Sequence, residues 1–410
     1  MKLLVFAHTP PPHHGQSYMI QLMVEGFGGD RDKGQSAAND LGIECYHVNA
    51  RFSRSLQDVG EFQGWKIFLI FFYCFQAVWL RFRHGVTAFY YVPAPGKSVA
   101  LYRDWLVMLL CRPFFKTMIL HWHAAGLGRW LETSAQMRTR ATTYRLFKPV
   151  DLSIVLSKYN VADAEKLLSR RIEVVNNGIP DPCPDFERRI LPRRRARLAA
   201  RRKIAAGGTA AGDGSETGLT GSEPDVLKAL YMAHCTRSKG LFDAMEGAAL
   251  ANQALEGGHR GLRVKLAVAG NFPNTKEREE FEGLLGEPRF AGTVDYLGFV
   301  SGTEKEKALG EADVFCFPTY YFGENQPVNL IEAMAFGLAI VTTRWRSLPE
   351  FLPAGYPGVI SAKAPDEVAA ALVKAAMNDD GGMLRRHFLE HFTLEKHLAN
   401  LAQAIRNVES

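Results

Sequence analysis

The stretch Phe322-Gly-Glu-Asn-Gln-Pro-Val-Asn-Leu-Ile-Glu-Ala-Met-Ala-Phe-Gly337 sets two carboxylates, Glu324 and Glu332, on either side of a helix start. Ahead of it, Asp313-Val-Phe-Cys-Phe-Pro-Thr319 reads as a buried strand running into the loop that carries Glu324. Pro327 suits the first helical turn, where its missing N–H costs nothing and its fixed φ helps. Gly337 can end the helix in a left-handed conformation. Such a strand–loop–helix unit aims free backbone N–H groups and a positive dipole end outward, which favours an anion. Carboxylates accept strongly from hydroxyl groups. One at the rim and one inside the helix therefore suit a ligand that is both phosphorylated and rich in hydroxyls, a nucleotide sugar.

Outward from this stretch the pattern repeats. Short apolar runs alternate with longer amphipathic ones, as in parallel sheets covered by helices. Strands are expected at 2–7, 88–92, 117–121, 152–156 and 172–175 in the first half, and at 227–232, 264–269, 314–318 and 340–342 in the second. A chain of 410 residues exceeds what one core usually serves, so two domains are expected. Asn177-Gly178 reads as a turn and Pro180-Asp-Pro182 as a stiff exit, which puts the hinge there. In such sheets ligands bind beyond the carboxyl ends of the strands, where the motif loops lie.

An apolar fraction of 47% with 22% charged residues is that of a soluble globular protein. Six scattered cysteines without a Cys-x-x-Cys pair read as buried free thiols in a reducing, cytoplasmic setting. Met1-Lys-Leu-Leu-Val-Phe-Ala7 is short and lacks a cleavage pattern, so it reads as the first buried strand and not a signal peptide. The net charge of +6 is local: residues 188–203 hold eight arginines, one lysine and no acid, leaving the rest at −3. This run is helix-compatible and reads as a solvated, tolerated insert. Residues 205–223, rich in Gly, Ala, Ser and Thr, cannot bury a core, so the insert 185–225 is expected to be disordered.

Residues 67–80 are apolar and aromatic apart from Gln76, with Lys66 before them and Arg81 and Arg83 after. The run is shorter than the roughly 20 residues that span a bilayer, which favours a buried helix of the first domain. A second reading has its aromatic face touching lipid while the cations meet anionic headgroups on the inner face of a membrane.

Glu-x7-Glu followed by Ala-Met-Ala-x-Gly, with Ala312-Asp-Val-Phe-x-x-Pro-Thr319 ahead, resembles the retaining glycosyltransferases of family 4. Asn176-Asn-Gly-Ile-Pro180, Arg237-Ser-Lys-Gly-Leu241, Ala267-Val-Ala-Gly-Asn271 and Val294-x-Tyr-Leu-Gly-Phe-Val300 follow the order of that family. The resemblance covers most of the chain apart from the insert. It implies the α/β GT-B arrangement, two doubly wound Rossmann-like domains facing across a cleft. The acceptor-side domain would span 1–176 and the donor-side domain 177–385, with a helix over 386–410 crossing back to the first.

Loss of a sugar from a nucleotide diphosphate requires charge stabilisation at the leaving group. Arg237 and Lys239 follow the strand 227–232 and suit phosphate. The family's arginine, several residues before the lysine, is His234 here, so Arg237 would replace it or Lys239 would act alone. In Thr9-Pro-Pro-Pro-His-His-Gly-Gln-Ser17, Gly15 would let backbone approach the diphosphate or the acceptor. His13 and His14 there read as surface loop histidines. In Ile119-Leu-His-Trp-His-Ala-Ala-Gly126, His121 and His123 share one side of a strand end. By the resemblance His123 lies against the donor sugar, Glu324 accepts from sugar hydroxyls and Glu332 from the ribose. Asn325 stands where the family has glycine, and tolerates left-handed backbone.

The expected activity is transfer of a hexose from a UDP- or GDP-linked donor to an oligosaccharide or lipid-linked acceptor, with retention. No Asp-x-Asp pair ends a strand, so metal-independent catalysis is expected; no cofactor beyond the donor substrate and no nucleic-acid partner are expected either. A nucleotide-sugar epimerase, or a non-catalytic protein tethered to membrane or nucleic acid by the arginine run, are the rival readings.

Overall fold

The computed structural model describes residues 1–12, 14–35, 37, 40–52, 65–96, 98–208, 223, 225–258, 261–378 and 381–408. The chain divides into two compact units. The first comprises Met1–Pro180, Phe322–Gln326 and Phe392–Ser410, and the second Asp181–Tyr321 and Pro327–His391. The division falls at Pro180, inside the expected hinge.

The first unit carries six parallel strands: β1 (Lys2–Phe6), β2 (Glu44–Val48), β3 (Ala88–Tyr91), β4 (Thr117–Trp122), β5 (Val150–Val155) and β6 (Ser169–Val174). Their spatial order is β2-β1-β3-β4-β5-β6. Alternation along each strand feeds two cores. Leu4, Phe6, Phe89 and Leu120 point to one, and Leu3, Val5, Tyr90 and Ile119 to the other. The second core is closed by the helices Gly15–Gly26 and Leu394–Arg406, the latter through Leu398, Leu401 and Ile405.

The second unit carries β7 (Val226–Met232), β8 (Arg263–Ala269), β9 (Val294–Gly298), β10 (Val314–Phe317), β11 (Ala339–Thr343) and β12 (Val359–Ile360). Their order is β12-β11-β10-β7-β8-β9, again parallel. Each sheet reverses direction once, between β1 and β3 in the first and between β7 and β10 in the second. Such reversal points are where doubly wound sheets bind ligands.

Two expectations are corrected. The expected disordered insert is folded over its described part, as a single π turn (Phe186–Ile190) and a helix (Leu191–Ala205). Arg194, Arg197 and Arg201 fall on one face of that helix and are buried. Arg197 donates to Asp313 at 2.7 and 3.0 Å and Arg201 donates to it at 3.0 Å. Arg194 donates to the carbonyls of Phe336 (2.8 Å) and Ala312 (3.1 Å). A buried charge persists where it is paired and hydrogen-bonded, and here every guanidinium reaches an oxygen. Residues 209–222 and 224 of the insert lie outside the described residues.

The run 67–80 is helical but extends over Trp65–His84 and is not a buried helix. Only Ile70, Cys74, Ala77 and Leu80 are buried. All six cysteines are buried and free, as read from the sequence.

Candidate functional site

In the second unit, β7 ends in a loop whose short helix Arg237–Lys239 starts at Thr236, the hydroxyl of which accepts from the Lys239 N–H. Gly240 has φ +82° and lies against β10: a Cβ there would meet the Pro318 carbonyl at 2.3 Å. Only glycine fits. The loop is tied to the end of β10, since the Tyr320 N–H donates to the Ser238 carbonyl at 2.9 Å. The Lys239 ammonium lies 4.5 Å from the Tyr321 ring centroid and 5.7 Å from that of Phe317. It therefore follows β7 at the sheet's reversal point.

Arg237 takes another direction. Its guanidinium donates to Glu280, which raises its pKa, and it lies 4.4 Å over Phe242, while its N–H donates to Glu277 at 2.7 Å. This arginine is half exposed, and such pairs hold weakly.

After β10, Pro327 is the N-cap of the helix Val328–Ala335, one position before the expected first turn. Gly337, at φ +57°, follows the helix in the left-handed conformation foreseen for it. Asn329 donates to the Met232 carbonyl at 2.7 Å, linking this helix to the end of β7, and its Oδ1 is buried with no hydrogen-bond partner among the described residues. Glu332 is buried and accepts from Lys305 at 2.6 Å. The need of this carboxylate for a partner was legible. Lys305, 27 positions earlier, was not.

In the first unit, His14 is the N-cap of the helix Gly15–Gly26: its Nδ1 accepts from the Ser17 N–H and its own N–H donates to Ser17 Oγ at 3.2 Å. It is a half-buried capping residue, not a surface loop histidine. Its Nε2 lies 2.8 Å from Nε2 of His8. Gly15 is the first helical residue and is exposed, which leaves the helix start open to an anion. His13 lies outside the described residues.

At the end of β4, the rings of His121 and His123 are 4.2 Å apart, as expected for one side of a strand end. Both Nε2 atoms are buried without a hydrogen-bond partner among the described residues. His121 is fully buried against the Tyr90 hydroxyl, its structural partner. Burial, with His397 and His14 nearby, holds His123 down to about 3, so it is neutral at physiological pH. A neutral ring can donate to a sugar hydroxyl. Asp163 fixes the loop beyond, accepting from the N–H groups of Gly126 (2.7 Å) and Gly128 (2.8 Å).

The segment Phe322–Gln326 belongs to this unit. Asn325 donates to the Trp122 carbonyl at 3.1 Å, and Gln326 accepts from the Asn177 N–H at 2.6 Å. Asn325 is absent from the residues with left-handed backbone, so its side-chain bond sets its place and not the conformational tolerance inferred from sequence. Glu324, next to it, is buried. Asp163, Lys305 and Gln326 were not found from the sequence, because each acts on a residue 27 or more positions away.

Residues 220–393 match the family model described as Glycosyl transferases group 1. This stretch belongs to the group 1 glycosyltransferases. The group 1 segment contains Arg237, Lys239, Glu324 and Glu332. The phosphatidyl-myo-inositol mannosyltransferase of Mycolicibacterium smegmatis is 32% identical over 118 residues, 28% of this chain and 28% of that protein. The putative colanic acid biosynthesis glycosyltransferase WcaL of Escherichia coli K12 is 25% identical over 193 residues, 44% of this chain and 45% of its own. The chain thus spans less than half the length of these curated relatives. Among solved structures, Anabaena Alr3699/HepE in complex with UDP superposes with a TM-score of 0.64 at 12% identity, covering 99% of this chain and 100% of that one. Sucrose-phosphate synthase from Thermosynechococcus elongatus gives 0.63 at 16% identity, covering 100% and 99%. The fold is the two-domain α/β GT-B fold.

Proposed function

We propose that this group 1 chain transfers a hexose from a UDP- or GDP-linked donor to an oligosaccharide or lipid-linked acceptor, with retention, in the synthesis of a cell-surface polysaccharide or glycolipid. One observation carries the reading: Lys239 after β7 and the helix bearing Glu332 after β10 flank the reversal point of one sheet. The names of the relatives, a lipid mannosyltransferase and a colanic acid enzyme, support it, as does UDP bound to the Anabaena protein.

In this reading Lys239 neutralises the departing diphosphate, with Arg237 free to join it by leaving an exposed pair of small worth. Gly15 opens a helix start to the acceptor or the diphosphate. Glu332 accepts from the ribose. Glu324 accepts from the sugar hydroxyls as positive charge develops on the ring, and neutral His123 donates to one of them. Asn325 and Pro327 hold the segment on either side of Gln326. With no nucleophile assigned, the acceptor attacks on the face that the leaving group vacates. The ammonium supplies the leaving-group charge, so the reaction needs no metal and no cofactor beyond the donor.

A melting screen against UDP and GDP, followed by donor hydrolysis in excess EDTA, tests this. A ligand that binds the folded state alone raises the melting temperature. Stabilisation by one nucleotide and turnover that survives EDTA are expected. Rescue of an EDTA-silenced enzyme by manganese would overturn the metal-free step. Release of an epimerised sugar with free nucleotide would overturn transfer.

A further inference from the structure

The helix Trp65–His84 turns Ile70, Cys74, Ala77 and Leu80 into the core of the first unit. Its opposite side carries Phe68, Phe72, Phe75, Trp79 and Phe82 at spacings of four and three, one stripe along the whole helix. These rings are in the open: Phe68 is 78% exposed, Phe75 73% and Phe82 68%. Single exposed apolar residues need no explanation, but a continuous aromatic stripe roughly 20 Å long does. The adjoining helix Ser98–Cys111, whose Cys111 Sγ lies 4.0 Å from the Cys74 carbonyl, leaves Tyr102 and Leu109 exposed as well.

The charge around the stripe says what covers it. Lys66 stands at one end and Arg81 and Arg83 at the other, and residues 65–84 contain no carboxylate. The Arg83 guanidinium lies 4.5 Å over the Trp79 ring, and Arg81 donates to the Phe114 carbonyl at 2.9 Å. A second copy of the helix packed on this one, in either direction, would bring cations onto cations. Spanning a bilayer is excluded by the buried side, although by length and composition this helix passes for a span.

We propose that this face docks on an anionic lipid bilayer. The helix lies in the plane of the interface, its five rings among the upper acyl chains and Lys66 and Arg83 at the phosphates. Aromatic rings favour that depth, and cations near an anionic surface add to the attraction. The consequence for the acceptor, that it is lipid-linked and met at the membrane surface, rests on the transfer reading above. The docking does not.

Flotation of the full chain with phosphatidylcholine vesicles, with and without about one third phosphatidylglycerol, tests the docking. Binding to the anionic vesicles, weakened by salt, is expected, together with a blue shift of Trp fluorescence. The variant Phe68→Ser/Phe72→Ser/Phe75→Ser should bind at least about tenfold more weakly, and Lys66→Gln/Arg83→Gln should lose the preference for anionic lipid. Both should keep the wild-type melting temperature and donor hydrolysis, so a failed docking and a failed transfer reading are told apart. Equal flotation of the serine variant, or no flotation of the wild type, would overturn the proposal. So would a wild-type dimer in light scattering that the serine variant turns into monomer.

Discussion

The Lys305 ammonium lies 2.6 Å from a carboxylate oxygen of Glu332, joining the helix Gly302–Glu311 to the helix Val328–Ala335. The carboxylate is thereby held in one orientation before any ligand arrives. Glu332→Gln should weaken free nucleotide diphosphate and donor alike, by about 1.5–3 kcal/mol, the worth of a hydrogen bond to a charged group. Lys305→Met should weaken both by less, because the acceptor survives but is no longer steered. Calorimetric titration with the nucleotide checks this. Tighter binding by Lys305→Met would mean that the lysine competes with the ribose.

Glu324→Gln should behave differently. A carboxylate that meets the sugar as charge develops acts in the transition state, so kcat should fall while nucleotide affinity holds. Titration beside donor-hydrolysis kinetics separates the two glutamates. Loss of nucleotide affinity in Glu324→Gln with none in Glu332→Gln would reverse their roles.

The first unit should lose stability in mild acid. Burial is the leading cause that lowers His8 and His397 to about 4 and His123 to about 3, and it puts His121 well below the ordinary value. In the unfolded chain these rings bind protons near 6.5. The folded form is therefore not penalised above that value, and loses about 1.4 kcal/mol per pH unit per histidine as the pH falls toward 4. Melting temperatures from pH 7.5 down to 5 should fall steadily below about 6.5. A flat profile would mean that the rings are charged in the folded state.

Breaking the buried arginine row should be costly. Asp313→Ala removes the carboxylate that Arg197 and Arg201 share, and loss of one partner of a buried pair costs about 3–5 kcal/mol. Burial pushes the Asp313 carboxyl up, but Arg201, Arg197 and Arg194 together hold it below the usual carboxylate range, so the pairing is lost in acid as well. Denaturant unfolding followed by fluorescence should show an earlier transition of the second unit. An unchanged midpoint would make the helix Leu191–Ala205 the dispensable insert that its composition suggested.

Apart from the edge strand β6, the strands that the sequence disclosed are interior ones, whose runs, such as Leu3 to Phe6 and Val314 to Phe317, are apolar on both faces. The strands it did not disclose, β2, β9 and β12, all lie at sheet edges. An edge strand needs fewer apolar residues, and Glu44-Cys-Tyr-His-Val48 or the two residues of β12 carry too little pattern to read. At the site, the glycines and carboxylates were legible because their chemistry is intrinsic. Their partners were not: Lys305 finds Glu332, and Asn177 finds Gln326, only once the chain has folded. The arginine run misled for the same reason. Nothing in its composition announced that three of its eight arginines would meet one aspartate and a set of carbonyls.

The helix Leu394–Arg406 closes a core whose other members are set down within the first 180 residues. On the ribosome, therefore, the half of the protein that is made first is finished last. Ile20, Met23 and Phe27 wait with their apolar side uncovered while the whole second unit is synthesised. A chain that stopped before Leu398 would present that surface to chaperones and proteases while carrying all of residues 220–393. Terminal truncations should thus fail in the unit that holds His123, far in sequence from the cut.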